Sequence, residues 1–122
     1  MTDQSSRRTP RDLAIAFTEA WTSHDMTTAA GYLADDVQFD GPINHTTSAK
    51  AYMDGLNAFA PAVTGMKMLA AFGDDQQALI MYDLTTAFGT LTSAELLTFW
   101  DGKIVKDLVT FDAYAIRKAQ GG

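Results

Sequence analysis

The sequence predicts an α+β domain with helices packed on one face of a curved antiparallel sheet, and three observations predict it. Apolar residues recur at helical spacing early in the chain, as Leu13, Ala16, Phe17, Ala20 and Trp21. From Met66 onward the spacing changes to the two-residue alternation of strands, punctuated by turns rich in Gly and Asp. Finally, the helices come first and four strands follow consecutively. That order places the helices on one face of a sheet instead of alternating them with parallel strands.

Each element follows from local signals. Residues 1–8 are polar and are expected to form a disordered tail. Thr9-Pro10-Arg11-Asp12 then reads as a helix start: Thr9 as N-cap, Pro10 at the first helical position, Asp12 in the first turn. After the break at Ser23-His24-Asp25, the residues Met26, Ala29, Ala30 and Leu33 mark a shorter second helix, ending near Asp35-Asp36. Val37 to Asp40 is a short strand stopped by Gly41-Pro42. Ser48 to about Ala60 is a third helix with Tyr52, Leu56 and Phe59 on one side. Met66–Phe72 and Gln77–Ala87 flank the turn GDDQ, and the last two strands meet at Asp101-Gly102. Residues 9–115 thus form one domain, with a flexible tail over 116–122.

Composition excludes several functions. A chain of 122 residues, 47% hydrophobic and 20% charged, holds one core and has no room for a separate cofactor domain. With no cysteine it has no disulfide, thiolate metal site or thiol nucleophile. His24 and His45 lack a clustered third ligand, so neither a metal nor another cofactor is expected. Fifteen acidic against nine basic residues give a net charge of −6, which disfavours nucleic acid as a partner. No apolar run approaches a membrane span, and MTDQSSRRTPRD lacks the apolar core of a signal peptide. The expectation is a soluble, cytoplasmic protein without a membrane partner.

One residue looks out of place. In TSAELLTFWDGKIVKDLVTFD, alternation puts Glu95 on one face with Leu97 and Phe99, opposite Ala94, Leu96, Thr98 and Trp100. Glu95 is then a buried structural acid, a partner of Lys106 across the hairpin, or a pocket acid. Asp107, in phase with Val109 and Phe111, also points inward or sits at the rim. Asp40 either caps the Gly-Pro turn through its side chain or performs chemistry.

The phrases AFTEAWTSHDMTTAAGYLADDVQFDGP, MYDLTTAFGTLTSAELLTF and WDGKIVKDLVTFD, spanning about residues 11–113, resemble the nuclear transport factor two-like superfamily, in its SnoaL-like and ketosteroid-isomerase-like branch. The resemblance implies a cystatin-like cone, in which the sheet curls around the helices over an apolar pocket. It also implies a homodimer through the outer face, which here carries Ala94, Leu96, Trp100 and Leu108. It implies catalytic roles for Asp40 as general base and Glu95 as a protonated acid facing the oxyanion. Phe17, Trp21, Tyr52, Tyr82, Leu97, Phe99, Asp107, Val109 and Phe111 would line the substrate pocket. Phe17 stands where the isomerases carry a tyrosine and Val109 where the cyclases carry a last-strand aspartate, while the arginine of the epoxide hydrolases has no equivalent, the third strand carrying Tyr82 and no arginine. The implied activity is a cofactor-independent isomerase or cyclase acting by carboxylate proton transfer on a small apolar carbonyl compound. The alternative is a non-catalytic module for apolar-ligand binding or dimerisation.

Overall fold

The computed structural model describes residues 8–119, so of the tails expected over 1–8 and 116–122, residues 1–7 and 120–122 lie outside the described residues. Helix α1 (Pro10–Thr22) starts as its sequence demands: the Thr9 side chain accepts from the Asp12 N–H at 3.1 Å, and Pro10 sits where no N–H is needed. Helix α2 (Met26–Ala30) is capped by Asp25, and α3 (Ala49–Phe59) by Ser48. A single 3-10 turn at Ala60–Ala62 leads into the strands.

The strands are β1 (Leu33–Asp40), β2 (His45–Thr46), β3 (Val63–Gly73), β4 (Gln77–Thr86), β5 (Gly89–Trp100) and β6 (Lys103–Thr110). They form one curved six-stranded sheet in the order β2-β1-β6-β5-β4-β3. The four consecutive strands β3 to β6 pair antiparallel, as the turns predict. Strand β1 instead joins β6 in parallel, pairing Leu33 with Ile104 and Phe39 with Asp107. This long-range pairing, and the Ile104 N–H donated to the Tyr32 carbonyl at 2.8 Å, draw Leu33–Asp36 into the strand. The second helix therefore ends at Ala30, earlier than its apolar spacing suggests.

The chain also holds a fourth helix, α4 (Tyr114–Ala119), where a flexible tail was expected from residue 116. Ile116 explains the difference: it is buried, and Arg117 donates to the Pro42 carbonyl at 2.8 Å. Among the described residues no helix is long and apolar enough to cross a membrane.

The core lies between α1 and the inner face of the sheet. Phe17, Ile80, Leu97 and Ile104 are fully buried there, with Val37 and Val63 beside them. The outer face is different. Phe72, Leu79, Leu96 and Leu108 form one cross-strand row on it, with Leu79 and Leu108 each 50% exposed and Trp100 further out at 73%.

The hairpin between β5 and β6 sets the register on which the site depends. Asp101 (φ 52°) and Gly102 (φ 74°) occupy the left-handed region, as a two-residue hairpin turn requires. Phe99 then pairs with Ile104, but Thr98 pairs with Lys106, so Val105 is an extra residue in β6. Beyond this bulge Asp107 pairs with Leu97 and Val109 with Glu95, all four facing inward.

Candidate active site

Inside the cone is a cavity of about 370 Å³. Its walls are mostly apolar: Trp21 from α1, Leu56 and Phe59 from α3, Leu84 and Phe88 from the β4–β5 hairpin, and Val109 and Phe111 beyond the bulge. Gly41 to Asn44 and Ile116 also line it, and Ile43 remains 44% exposed. A side chain at position 41 would force its neighbours to shift, since a Cβ there would lie 2.9 Å from the Phe39 ring and 3.2 Å from Val109. The polar lining consists of Tyr52, Tyr82, Ser93, Glu95 and Asn44, and Glu95 is the one ionisable carboxyl among the described lining residues.

Behind Glu95 stands a second acid. Glu95 (3% exposed) and Asp107 (0%) lie diagonally across β5 and β6, two buried carboxyls close enough to act on one another. Each carboxyl is also held by a phenol. Tyr82 donates to Glu95 Oε1 at 2.6 Å, and Tyr52 donates to Asp107 Oδ2. The result is a buried chain, Tyr52–Asp107–Glu95–Tyr82, whose Glu95 end borders the cavity.

Burial pushes the Asp107 carboxyl well above the usual carboxylate range, and the adjacent Glu95 charge and hydrogen bond push it the same way, against the opposing donation from Tyr52. Asp107 Oδ1 accepts no hydrogen bond from any described donor. A proton on that oxygen, donated to Glu95, satisfies both carboxyls at once. Tyr52 and Tyr82 are raised well above an ordinary phenol, first by burial and then by the carboxyl each one faces. Both remain hydrogen-bond donors. Ser93 is different again: its Oγ is buried in the cavity wall and has no partner among the described residues.

The expected site residues divide into three groups. Glu95, Tyr52, Tyr82, Trp21, Val109 and Phe111 line the cavity. Asp107 lies one layer behind, against Glu95, while Phe17, Leu97 and Phe99 are core residues beneath the wall; Phe17 meets the Tyr52 ring edge-on at 6.0 Å. Asp40 is apart from all of them. It ends β1 outside the cavity lining, its side chain 46% exposed and 2.5 Å from His45 Nδ1 on β2. The two expected catalytic acids are therefore not brought together, because β1 and β2 form a two-residue ladder that turns Asp40 toward His45. Among the lining residues missed were Ser93, Phe39, Asn44, Phe88 and Ile116. Ser93 alone had a signal, since it falls in phase with Glu95. Among the described residues no three His, Asp or Glu side chains are grouped as metal ligands.

A curved sheet folded over helices, with carboxyls buried beside an apolar cavity, defines a class of small ligand-holding α+β cones. Residues 14–106 match the SnoaL-like domain family, and the chain belongs to it. No curated protein sequence matches the chain significantly. Among solved structures, a protein from Kribbella flavida DSM 17836 is similar with a TM-score of 0.86 and 32% identity, over 91% of this chain and 93% of that one. Another protein of that organism, provisionally called a ketosteroid isomerase, gives 0.74 at 19% identity over 84% of this chain and 76% of its own. An LEH-like epoxide hydrolase of M. tuberculosis gives 0.72 at 18% identity over 89% and 86%. At such identities the last two share the fold.

Proposed function

We propose that this protein binds a small, largely apolar carbonyl compound in the cone and moves a proton on it without a cofactor, as an isomerase or cyclase does. The observation that carries this reading is the buried Glu95–Asp107 pair opening through Glu95 onto an apolar cavity. Glu95 is the proton acceptor. It takes a hydrogen from the carbon next to the carbonyl, the C–H electron pair moves into the C–C bond, and the carbonyl π pair moves onto oxygen as an enolate. Tyr82 turns its O–H from Glu95 to that oxygen, where charge develops in a water-poor site. Where the compound carries a C=C bond beyond that carbon, the enolate extends into a dienolate, and return of the proton to its far carbon shifts the double bond into conjugation, gives the isomer and restores Glu95. Asp107 lies behind the cavity wall and, held by the Tyr52 hydroxyl, keeps the Glu95 carboxyl in place. Asp40, expected as the base, has no such part.

Deuterium exchange on 4-methylcyclohexanone in heavy water, followed by proton NMR, tests the reading. The protein should accelerate exchange at the carbons flanking the carbonyl, Glu95→Gln should remove ~100-fold of that acceleration, and Asp40→Asn should leave it unchanged. Exchange at the buffer rate with wild-type protein would sink the catalytic role.

One observation favours a second reading, in which the cone holds its ligand without turnover: the Tyr82 hydroxyl is already committed to Glu95. Binding of the same ketone with no exchange would establish that reading. In either case the assembly is a homodimer through the outer sheet face, because the row Phe72, Leu79, Leu96 and Leu108 would otherwise leave a continuous apolar patch in water. Sedimentation at micromolar concentration should give twice the chain mass, and Leu79→Lys with Leu108→Lys should give the monomer.

A further inference from the structure

Ser93 carries a hydroxyl that the fold does not use. It pairs directly with Tyr82 across β4 and β5, both residues facing inward. The residue is 1% exposed, its Oγ has no partner among the described residues, and it lines the cavity. Every other hydroxyl along this inner wall has work to do, since Tyr82 donates to Glu95 and Tyr52 to Asp107. A buried hydroxyl without a partner is unfavourable unless something supplies one. The surrounding wall, with Leu84 and Phe88 nearby, offers nothing, so the partner has to come from inside the cavity.

Position fixes what that partner looks like. Ser93 is two residues before Glu95 on the same strand face, so the two side chains leave the strand ~6–7 Å apart. No Lys, Arg or His lines the cavity among the described residues, so nothing there offsets the charge of a carboxylate or phosphate.

We infer that Ser93 is a second ligand anchor, and that the compound bound here is a neutral molecule with two oxygen functions on opposite sides of an apolar skeleton, one at Glu95 and Tyr82 and the other at Ser93. This rests on the cone being the ligand site and narrows the class of ligand it takes. A simple monoketone reaches one anchor only. A hydroxyketone or diketone reaches both, and the spacing along β5 selects among them.

Two ketones that differ at one position test the inference: 4-methylcyclohexanone and 4-hydroxycyclohexanone, the second with its oxygens across the ring. Their dissociation constants are measured by NMR titration against wild-type protein, Ser93→Ala and Ser93→Thr. The hydroxyketone should bind wild type roughly three- to ten-fold tighter than the methylketone. Ser93→Ala should abolish that preference without weakening the methylketone, and Ser93→Thr, which restores the hydroxyl, should bring it back. An equal preference in wild type and Ser93→Ala would overturn the anchor while leaving the cone as the ligand site, provided that the methylketone still shifts the Tyr82 and Glu95 resonances. If neither ketone shifts any cavity resonance, both the site and the anchor are overturned.

Discussion

Asp40 and Glu95 carry the same functional group on the same sheet, yet their surroundings differ in every respect that governs a carboxyl. Asp40 ends an outer strand, half in water, with an imidazole 2.5 Å away. Glu95 sits in the middle of β5, enclosed, with a second carboxyl and a phenol for company. Exposed pairs such as Asp40–His45 gain little, since water screens the attraction and two side chains must be held still. In the enclosed site, burial and then the adjacent Glu95 charge hold the Asp107 carboxyl well above the usual carboxylate range. One acid thus stands in solvent and the other in an enclosed wall beside an apolar cavity.

The largest expected effect separates the two sites by stability. Asp107→Ala leaves the Tyr52 hydroxyl and one side of Glu95 without a buried partner and should cost ~2–4 kcal/mol in urea unfolding. Asp40→Ala should cost ~0–1 kcal/mol. Equal losses would erase the contrast between the sites.

A smaller effect concerns pH. The folded protein holds the Asp107 proton more tightly than the unfolded chain does, whose carboxyl titrates at its ordinary value of 3.8. Folded chains therefore bind more protons than unfolded ones above that pH. The Asp107 contribution is complete below 3.8 and fades as the pH climbs toward the raised folded value. Asp107→Asn, which cannot ionise, should flatten the decline of melting temperature as the pH rises above 3.8. Parallel curves for variant and wild type would mean that Asp107 is not the titrating group.

The smallest effect is spectroscopic. Of the four tyrosines, Tyr52 and Tyr82 should not ionise while the chain is folded, and their absorbance change should appear only with unfolding in alkali. A full four-tyrosine signal from folded protein would place water in the buried chain.

Much of this was legible beforehand, for a physical reason. Alternation along β5 buried Glu95, Leu97 and Phe99 on one face, because strand periodicity is local and does not depend on what the strand pairs with. The helix starts at Thr9 and Ser48 were readable in the same way, from side chains that serve the backbone beside them. What escaped depends on distant partners. The start of β1 at Leu33 is imposed by Ile104, some seventy positions along the chain. Asp40 was expected to act as a base on the family resemblance alone, and its pairing with His45 depends on the β1–β2 ladder, which the sequence does not announce. Asp107 was in the right phase, yet nothing near it announced that it would meet Glu95.

The bulge at Val105 carries a consequence for how such a site changes over time. In an unbroken two-residue hairpin, Leu97 would face Lys106 and Glu95 would face Leu108. The same strand would then present a lysine to the interior where the carboxyl now stands, and the acid pair would become an ion pair. Closing the bulge at constant chain length is therefore enough to put Lys106 in place of Asp107 on the inner face, with every side chain of the sheet retained, whereas deleting Val105 would leave Asp107 opposite Leu97. In this protein the currency of divergence is frame as much as substitution, and a comparison of relatives by aligned identity alone would pass over the event that matters most.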